Sequence, residues 1–472
     1  MRALIALAFF VFCQPVLANV LADSATKNES YWTYEEILQY FKDNASKFYF
    51  DKSNDGGNKD IAMMPDRSFG DSKTVPTTSQ DPSSQYFAVR LDHQMYWLDR
   101  FDAKTGDLLG SLNLESDDPA RIYTGIGNAL ILARPSFKVI CNDVLNKLDS
   151  VSGKETLLLK TQGIRPSEVF DQDRKTFVLL EHGLSDPGWI KRHPDKVPYG
   201  PSAVEAYDHA ASPNLLENFR FGGNSFDTME LSTHMFGDPE HSKLYAISGC
   251  TILPKEIFPT INGNEVGFGN LQVINTKRLT VETIPLGAYL RDPTTVVAAH
   301  GKVYISSIST HLSDGGAFNF LRKTYRQLPY LVNLESKLTT DEKAILEEVA
   351  KEHYRQNWSG FLYVFSQEPF HLIKVIKTQY QSRAMAYISE DGLIAVMHRD
   401  WPGSKPGAIS FVDVATDKLV AQAEVGHINL MGYAGNHRLL VSTTEKLVVF
   451  DTKTQTVFRE YPGNYTIVSE KR

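Results

Sequence analysis

Cysteine is scarce in this chain. The 472 residues contain three cysteines, too few for a disulfide-stapled scaffold or a zinc ribbon. Cys141 and Cys250 fall in different copies of the repeat described below. Because a disulfide requires Cα atoms within roughly 7 Å, we expect both thiols to be unpaired.

Positive charge and the common enzyme motifs are also in short supply. Lys and Arg number 49 against 56 Asp and Glu, and the formal net charge of −7 argues against a nucleic-acid-binding protein. The motifs typical of c-type haem attachment, zinc metalloproteases, serine hydrolases and phosphate-binding loops do not occur in the sequence. We therefore predict no catalytic residue and no cofactor for this chain alone.

Long apolar runs are absent beyond the first residues. Residues 1–18 have the layout of a signal peptide: Arg2 supplies positive charge, Leu4–Phe12 is too short to span a bilayer, and Val16-Leu17-Ala18 offers a cleavage site. We expect export to the periplasm or out of the cell, and a mature chain that is not transmembrane.

Residues 19–80 are predicted to form an N-terminal arm ahead of the main domain, residues 81–472. Thr33 and Glu36 make a capping-box pattern before a short helix, and residues 51–80 form a polar linker. Four Asn-x-Ser/Thr sequons are glycosylation candidates in a eukaryote but not in a bacterium. They begin at Asn28, Asn44, Asn357 and Asn464.

The sequence does contain a recurring local pattern. An apolar run ends in Asp, Asn or Ser, Thr or Ser commonly follows beside Lys or Gly, and another apolar run begins. A side-chain oxygen at the first turn position accepts hydrogen bonds from the amides ahead, so each copy predicts a hairpin of two outer strands. The copies lie at Asp102, Asp149, Asp208, Asn275, Ser366, Asp413 and Asp451.

A second hairpin precedes most copies. Residues 384–388 and 393–397 are short apolar runs that flank a turn at Ser389–Gly392. Two hairpins in series form a four-stranded antiparallel sheet, and we predict an all-β fold in which seven such sheets form a β-propeller. The alternative is a two-sheet sandwich, which also has short, regularly spaced strands but does not require seven copies of one hairpin pattern.

The spacing between copies exceeds the roughly 40 residues of a bare propeller blade at several places. We assign the excess to insertions between the second and third strands of their sheets. Because equivalent connections leave a propeller on one face, long loops are predicted to form a binding face there. The insertions are residues 181–201, 249–269, 310–359 and 398–406.

The insertion in the fifth blade contains a predicted helix. Thr339 and Glu342 form a capping box, and Ile345, Leu346 and Val349 recur on one side. A lid and a structural buttress are both compatible with this pattern, and the buttress is the more ordinary interpretation.

Four arginines recur where the innermost strands are predicted to start: Arg121, Arg165, Arg291 and Arg383. On the loop face they would ring the mouth of the central channel and suit an anionic ligand or an acidic side chain of a protein partner. The alternative is structural, with each arginine paired with an Asp between blades. The loops add further ligand-binding candidates, namely Trp189, His398, Arg399, Asp400 and Trp401.

Histidine and aspartate in the same loops make a metal site geometrically possible. No pair has a spacing that specifies a metal, and loop histidines are commonly just solvated. The weak candidates are His182, His193, His311 and Asp314.

Residues 382–461 resemble the secreted seven-bladed propellers of the YVTN type, and among them the heavy subunit of bacterial quinoprotein amine dehydrogenases. The resemblance depends on Met397–Trp401, Ile409–Asp413 and Val425-Gly426-His427. Residues 339–343 followed by residues 357–360 are also similar to the segment before that family's sixth blade. It implies a scaffold that is not catalytic alone, because the quinone cofactor of that family resides on a separate small subunit.

Three functional hypotheses therefore come from the sequence, and a metal-dependent enzyme that uses the His and Asp residues of these loops ranks third, after the two that follow. The first is a secreted or periplasmic propeller that binds a ligand or protein partner on its long-loop face. The second is the heavy subunit of a periplasmic amine dehydrogenase.

Overall fold

The computed structural model describes residues 84–93, 95–114, 121–126, 129–133, 144–149, 152, 154–161, 164–182, 203–210, 212–220, 232–251, 268–309, 336–355, 360–378, 382–398 and 407–471. The predicted signal peptide and N-terminal arm lie outside these residues, as does Cys141. Cys250 lies within the strand Lys243–Thr251. None of the helices in these ranges is long and apolar enough to cross a membrane.

The strands nearest the two ends of the described chain belong to one sheet. Their bounds are β1 Gln85–Asp92, β2 Met95–Asp102, β3 Leu108–Asn113, β4 Arg121–Ile126, β5 Ala129–Ala133, β6 Val144–Leu148, β7 Glu155–Lys160 and β28 Asn464–Lys471. The order across this eight-stranded sheet is β3-β2-β1-β28-β4-β5-β6-β7. The last strand of the chain thus lies between the first strand and the fourth.

The remaining described strands form four-stranded sheets, each built from four consecutive strands. The first two contain β8 Ile164–Gln172, β9 Lys175–His182, β10 Ala203–Asp208 and β11 Leu215–Arg220, then β12 Ser232–Asp238, β13 Lys243–Thr251, β14 Phe268–Asn275 and β15 Thr280–Pro285. The third contains β16 Arg291–Ala299, β17 Lys302–Ser309, β18 Gly360–Ser366 and β19 His371–Thr378. The last two contain β20 Ser382–Ile388, β21 Leu393–His398, β22 Gly407–Asp413 and β23 Lys418–Gly426, then β24 Ile428–Gly435, β25 Arg438–Thr443, β26 Lys446–Asp451 and β27 Thr456–Pro462.

The strands β4, β8, β12, β16, β20, β24 and β28, which we call the inner strands, contact one another in cyclic order. Each contacts the next along the chain, and β28 pairs in parallel with β4 at Ser469–Lys471. Because the series returns to its start, the sheets stand around a common axis. The fold is all-β and β-propeller-like, and the alternative of a two-sheet sandwich does not fit this arrangement.

The repeated hairpin turns lie where the sequence predicts them. Every pattern residue lies at the connection between the two outermost strands of its group, for example Asp102 between β2 and β3. Asp102 Oδ1 accepts the backbone N–H groups of Lys104 and Thr105, each at 2.8 Å. Gly106 then has a φ of +74°, a conformation that favours glycine. The turn chemistry inferred from the sequence is confirmed at this position.

The long connections also lie between the second and third strands of their sheets. Residues 183–202 separate β9 from β10, residues 252–267 separate β13 from β14, and residues 399–406 separate β21 from β22. The strands extend further into these segments than the sequence suggests, so Glu181 lies in β9 and His398 in β21.

Helix α1, Thr340–Arg355, lies between β17 and β18 and packs against β19. Its capping box forms as predicted: Glu342 Oε2 accepts the Thr339 N–H at 2.8 Å, and Thr339 Oγ1 accepts the Glu342 N–H at 3.2 Å. Leu346 and Val349 are buried in the core cluster between the β12–β15 and β16–β19 sheets. The helix is therefore a buttress of that part of the core.

The hydrophobic core lies between neighbouring sheets. Tyr245 of β13 and Tyr363 of β18, for example, belong to one buried cluster. The inner strands approach closely enough to require a small residue: a Cβ on Gly432 would lie 2.8 Å from the Ser469 carbonyl oxygen. Close inter-sheet packing thus fixes how the inner strands meet.

Candidate functional site

Two of the four predicted arginines lie at the first residue of an inner strand, beside the base of a long connection. Arg121 pairs with Ala133, after which residues 134–143 follow, and Arg291 pairs with Ser309, after which residues 310–335 follow. An antiparallel pair places the start of one strand beside the end of the other. The connection to the third strand therefore leaves from the edge where these arginines lie.

Arg165 and Arg383 occupy the second residue of their inner strands at the same kind of edge. Their preceding neighbours, Ile164 and Ser382, pair with His182 and His398, the last residues of β9 and β21. We call the edge formed by the starts of the inner strands and these strand ends the insertion edge. The opposite edge, which carries the hairpin turns, is the turn edge. The backbone positions of all four arginines are at the insertion edge.

Hydrogen bonds join the starts of neighbouring inner strands to one another. The Tyr123 hydroxyl donates to the Ser167 carbonyl at 2.6 Å, Thr294 Oγ1 to the Ser382 carbonyl at 3.3 Å, and Asn429 Nδ2 to the Tyr465 carbonyl at 2.9 Å. Because each bond links two sheets at the insertion edge, the starts of these strands lie on one side of the molecule.

β-Bulges lie near the starts of several inner strands. The pairing register of β8, β12, β16, β20 and β24 shifts there, and the residues skipped are Ser167, Thr233, Thr294, Arg383 and Asn429. A bulge re-aims the side chain of the extra residue. Arg383 thus occupies the position equivalent to Thr294 and Asn429, whose side chains donate hydrogen bonds to the next inner strand. Arg383 is half-buried and also interacts with another group of the protein.

Arg121 has a structural partner in the neighbouring sheet. Its Nη1 lies 3.1 Å from Oε1 of Glu168, whose carboxylate is almost fully buried, and the Met235 N–H donates to Glu168 Oε2 at 2.8 Å. One carboxylate therefore joins β4, β8 and β12. For Arg121, this contact supports the structural interpretation, in which the arginine pairs with an acidic residue of the neighbouring sheet. The partner is Glu and not the expected Asp. The Arg121 side chain is still 41% exposed, so part of it faces solvent.

His398 is held by its sheet and not by the loop to which the sequence assigns it. Its side chain is fully buried, and Nε2 lies 2.8 Å from Ser410 Oγ. Ser410 Oγ also accepts Nε2 of Gln422 at 3.1 Å. His398, expected at the start of the insertion 398–406, is instead the last residue of β21, and its imidazole is buried.

Several predicted site residues lie outside the described residues. Trp189, Arg399, Asp400 and Trp401 do so among the ligand-binding candidates, and His193, His311 and Asp314 among the metal candidates. For Arg165, Arg291 and His182 the structure describes the backbone within a strand but not the side chain. In the described part of the chain, no group of three or more His, Cys, Asp or Glu side chains is arranged to hold a metal ion.

The turn edge contains a polar contact that the sequence analysis missed. In each case an acidic residue lies at or just beyond the end of the inner strand of one sheet. It accepts a hydrogen bond from the next sheet, from the residue that directly follows the hairpin-turn position there. Gln367 Nε2 donates to Asp238 Oδ2 at 2.9 Å in this way, and the Thr276 and Thr452 hydroxyls donate to Asp173 and Asp391. The signal was available, because Thr276, Gln367 and Thr452 immediately follow Asn275, Ser366 and Asp451.

Histidines strengthen the same contacts. His241 Nδ1 lies 2.8 Å from Asp238 Oδ2, and His437 Nδ1 lies 2.8 Å from Asp391 Oδ1. The backbone N–H groups of Asn436 and His437 also donate to Glu390. The turn edge is therefore acidic and closely hydrogen-bonded, whereas the insertion edge carries the starts of the arginine-bearing strands.

Comparisons with known proteins give a fold-level likeness. No protein-family model matches the chain, and no curated protein matches it. Among solved structures, a protein provisionally assigned as a 6-phosphogluconolactonase from Bacteroides fragilis has 11% identity and a TM-score of 0.46 over 84% of this chain and 99% of its own. Apo AztD from Citrobacter koseri has 10% identity and a TM-score of 0.45, over 82% of this chain and 97% of its own.

A functionally unknown protein from Desulfotomaculum acetoxidans has 8% identity and a TM-score of 0.47, over 82% of this chain and 99% of its own. At these values the likenesses carry no argument about activity, substrate or partner. The function must be inferred from this chain's own residues.

Proposed function

We propose that the chain is a seven-bladed β-propeller closed by its own C-terminal strand. In this interpretation the eight-stranded sheet is two blades, one formed by β28 with β1, β2 and β3 and the other by β4 to β7. The proposal is supported by the short contact that joins them, because β28 pairs with β4 over only Ser469–Lys471. It is also supported by the cyclic contacts of the inner strands.

The proposed function is the binding of an anionic ligand, or of an acidic side chain of a protein partner, at the insertion edge. The observation that carries it is the presence of Arg121, Arg165, Arg291 and Arg383 at the starts of four inner strands, beside the bases of the long connections. A guanidinium group binds carboxylate and phosphate through paired hydrogen bonds.

Titration calorimetry with citrate and with inorganic phosphate, at low ionic strength, tests this function. Arg291→Ala and Trp401→Ala are the variants, and Arg459→Ala is the control because Arg459 lies on an outer strand and pairs with Asp107. Losing a hydrogen-bonded charge pair weakens binding by about tenfold. Unchanged affinity in both test variants would reject the insertion edge. An equal loss in the control, or no saturable binding of either anion, would reject a specific anion site.

The amine dehydrogenase heavy subunit stays the alternative. Among the residues that suggested it, Ile409–Asp413 form most of β22 and Val425 and Gly426 end β23, which are ordinary positions in this fold. Co-purification with a small, cysteine-rich subunit that carries a quinone would favour this alternative. Export is likewise a proposal, and N-terminal sequencing of the mature protein tests it: a first residue near position 19 is expected.

A further inference from the structure

One outer strand pairs differently from the others. The outer strands of the described sheets are β3, β7, β11, β15, β19, β23 and β27, and in these sheets each lies at an edge. In six of them the pairing with the neighbouring strand shifts register, as it does at a β-bulge. β15 instead pairs with β14 without a shift, from Thr280 to Pro285. Because a bulge twists an edge and hinders the addition of another strand, β15 has the most regular outer edge.

The residues of β15 also favour strand pairing. Its sequence is Thr-Val-Glu-Thr-Ile-Pro, which is rich in β-branched residues and contains no lysine, arginine or glycine. Residues 280–283 are exposed, and Val281 is 45% exposed. Edge strands are commonly protected from other chains by lysine, proline or a bulge, and here only Pro285, at the end of the strand, has that role. Residues 280–284 therefore form an open pairing edge.

A cleft of about 470 Å³ lies beside this edge, between β15 and the turn at residues 367–370 of the next sheet. Successive side chains of a strand point to opposite faces, so Glu282 and Ile284 share the face on the cleft side. The lining is apolar at Val273, Ile284 and Phe370. A strand added to β15 directs every second side chain towards this cleft, and such alternate pockets are how strand addition selects the sequence of a partner.

The charges along the edge have a fixed order. Lys277 and Arg278 lie in the hairpin turn before β15, are exposed, and have no ion pair within the described residues. Asn275 holds this turn, because its Oδ1 accepts the Arg278 N–H and its carbonyl accepts the Leu279 N–H, each at 2.8 Å. Glu282 follows in the strand, exposed and likewise without an ion pair among these residues. The edge is thus positive at its turn end and negative near its middle.

We propose that β15 is a docking edge for an extended segment of a partner protein, which adds to the sheet as an antiparallel strand. Backbone hydrogen bonds to residues 280–284 supply the affinity. An apolar side chain of the partner enters the cleft beside Ile284, and a basic side chain lies opposite Glu282. Acidic residues at the C-terminal end of the segment lie beside Lys277 and Arg278. This site is on an outer strand and does not depend on the proposed function.

A second copy of this chain fits the edge less well. In the antiparallel registers that overlap most of two β15 strands, Lys277 and Arg278 lie opposite residues 286–289 of the other copy. That stretch is Leu-Gly-Ala-Tyr and contains no carboxylate. The order of charges therefore favours a different protein, whose segment has an acidic end.

Two peptides test the order of charges: Val-Thr-Lys-Val-Thr-Glu-Glu, and the exchanged peptide Val-Thr-Glu-Val-Thr-Lys-Lys. Titration calorimetry with the whole chain measures both affinities. Because cross-strand charge pairs contribute up to about 1 kcal/mol each, we expect the first peptide to bind about tenfold more tightly. Equal or tighter binding of the exchanged peptide, or no saturable binding of the first, would overturn the proposal.

Two versions of the first peptide, N-methylated on alternate residues, test strand addition itself. Both keep the charges, but only one set of methyl groups replaces the N–H groups that face β15. We expect that version to lose binding and the other to keep it. Equal affinities of the two versions would reject strand addition.

Reversing the charges of the edge tests its location. Glu282→Lys, and separately Lys277→Glu with Arg278→Glu, should weaken the first peptide about fivefold and strengthen the exchanged one. A gain for the exchanged peptide separates this effect from a loss of folding. Lys453→Glu is the control, because Lys453 has the equivalent place in the turn before β27. An equal effect in the control, or no effect in either test variant, would reject this edge.

Hydrogen exchange resolved by residue identifies what occupies the edge. The amides of residues 280–284 that face outward should exchange fast in the free chain and slowly with the first peptide, while those of β27 should not change. Protection that increases with protein concentration in the absence of peptide would assign the edge to a second copy. Protection of every β15 amide in the dilute free chain would mean that another part of this chain covers it. Either of these last two results would overturn the proposal.

Discussion

Glu342 attaches helix α1 to the outer strand β19, and Glu342→Ala tests that attachment. The carboxylate is 3% exposed and accepts the Leu372 N–H at 2.9 Å and the Tyr289 hydroxyl at 3.1 Å, in addition to the Thr339 N–H at 2.8 Å. Alanine leaves the buried Leu372 N–H without this acceptor, at a cost of about 1–3 kcal/mol. Loss of the capping box costs about 1 kcal/mol more. We expect the docking of α1 to lose about 3 kcal/mol.

Hydrogen exchange of α1 and β19 measures the loss of stability at this attachment directly. A global unfolding experiment on so large a chain would average it with the stability of the rest of the protein. Because each 1.4 kcal/mol is tenfold in an equilibrium constant, we expect amides of residues 340–355 to exchange about a hundredfold faster in the variant. Glu347→Gln is the control, because Glu347 is exposed on the same helix. Equal exchange of α1 in the two variants would refute the attachment by Glu342.

The same contact predicts a dependence on pH. Burial opposes ionisation of Glu342, but hydrogen bonds from the Thr339 and Leu372 N–H groups and from the Thr339 and Tyr289 hydroxyls outweigh it and hold its pKa below the ordinary 4.5. A lowered folded-state pKa contributes stability above the unfolded-state pKa, and this contribution is lost as the pH falls through the folded-state value. The protection of the α1 amides, which is their exchange rate compared with that of an unstructured chain at the same pH, should therefore fall in acid below about pH 4.5. In Glu342→Gln this loss of protection should disappear; its persistence would assign the acid effect to another group.

Two further substitutions test the contacts between sheets. Glu168→Gln removes the charge that binds both Arg121 and the Met235 N–H. Because hydrogen bonds to charged groups contribute about 1.5–3 kcal/mol, we expect the free energy of unfolding to fall by about 2 kcal/mol. An unchanged urea midpoint would mean that Glu168 does not hold the sheets together. Gly432→Ala places a Cβ 2.8 Å from the Ser469 carbonyl oxygen and should destabilise the protein by about 1–3 kcal/mol through overpacking. Gly110→Ala, whose Cβ would meet only the end of the Arg100 side chain at 3.6 Å, is its control, and an equal effect of the two substitutions would contradict the argument.

The turns and the strand order could be predicted from the sequence because their cause is local. Asp413 shows why: the Thr416 hydroxyl and N–H donate to its carboxylate, at 2.6 and 2.7 Å, and hold its pKa below the ordinary value. A residue three positions away suffices for that bond, so the pattern is visible in the sequence. The position of β28 between β1 and β4 has no such local cause, because strands from opposite ends of the chain meet there. Pairing between strands so far apart in the sequence produces no recognisable pattern in the residues of either strand.

The strand positions of the candidate arginines were predictable from the sequence, but the contacts of Arg121 were not. Arg121 was correctly expected where an inner strand starts, since the start follows from counting strands. Its partner Glu168 is 47 residues away in the next sheet, and nothing in the sequence connects the two. His398 shows the opposite error: it was assigned to a loop because polar residues follow it, but β21 continues through it and buries the imidazole. Sequence patterns predict the ends of strands least accurately, above all where polar residues follow the strand.

The two edges of the fold differ in the charged groups that they carry, and the contacts between the sheets give a reason. At the turn edge, Asp173, Asp238 and Asp391 accept bonds from the neighbouring sheet, so carboxylates are needed there to hold the sheets together. At the insertion edge, inner strands are joined by neutral groups such as Thr294 and Asn429 and by the Arg121–Glu168 pair, and arginines at strand starts are compatible with that arrangement. The net charge of −7 is therefore an average over two unlike edges. Salt screens exposed charges over about 10 Å at 0.1 M, so added salt should weaken the binding of citrate at the insertion edge.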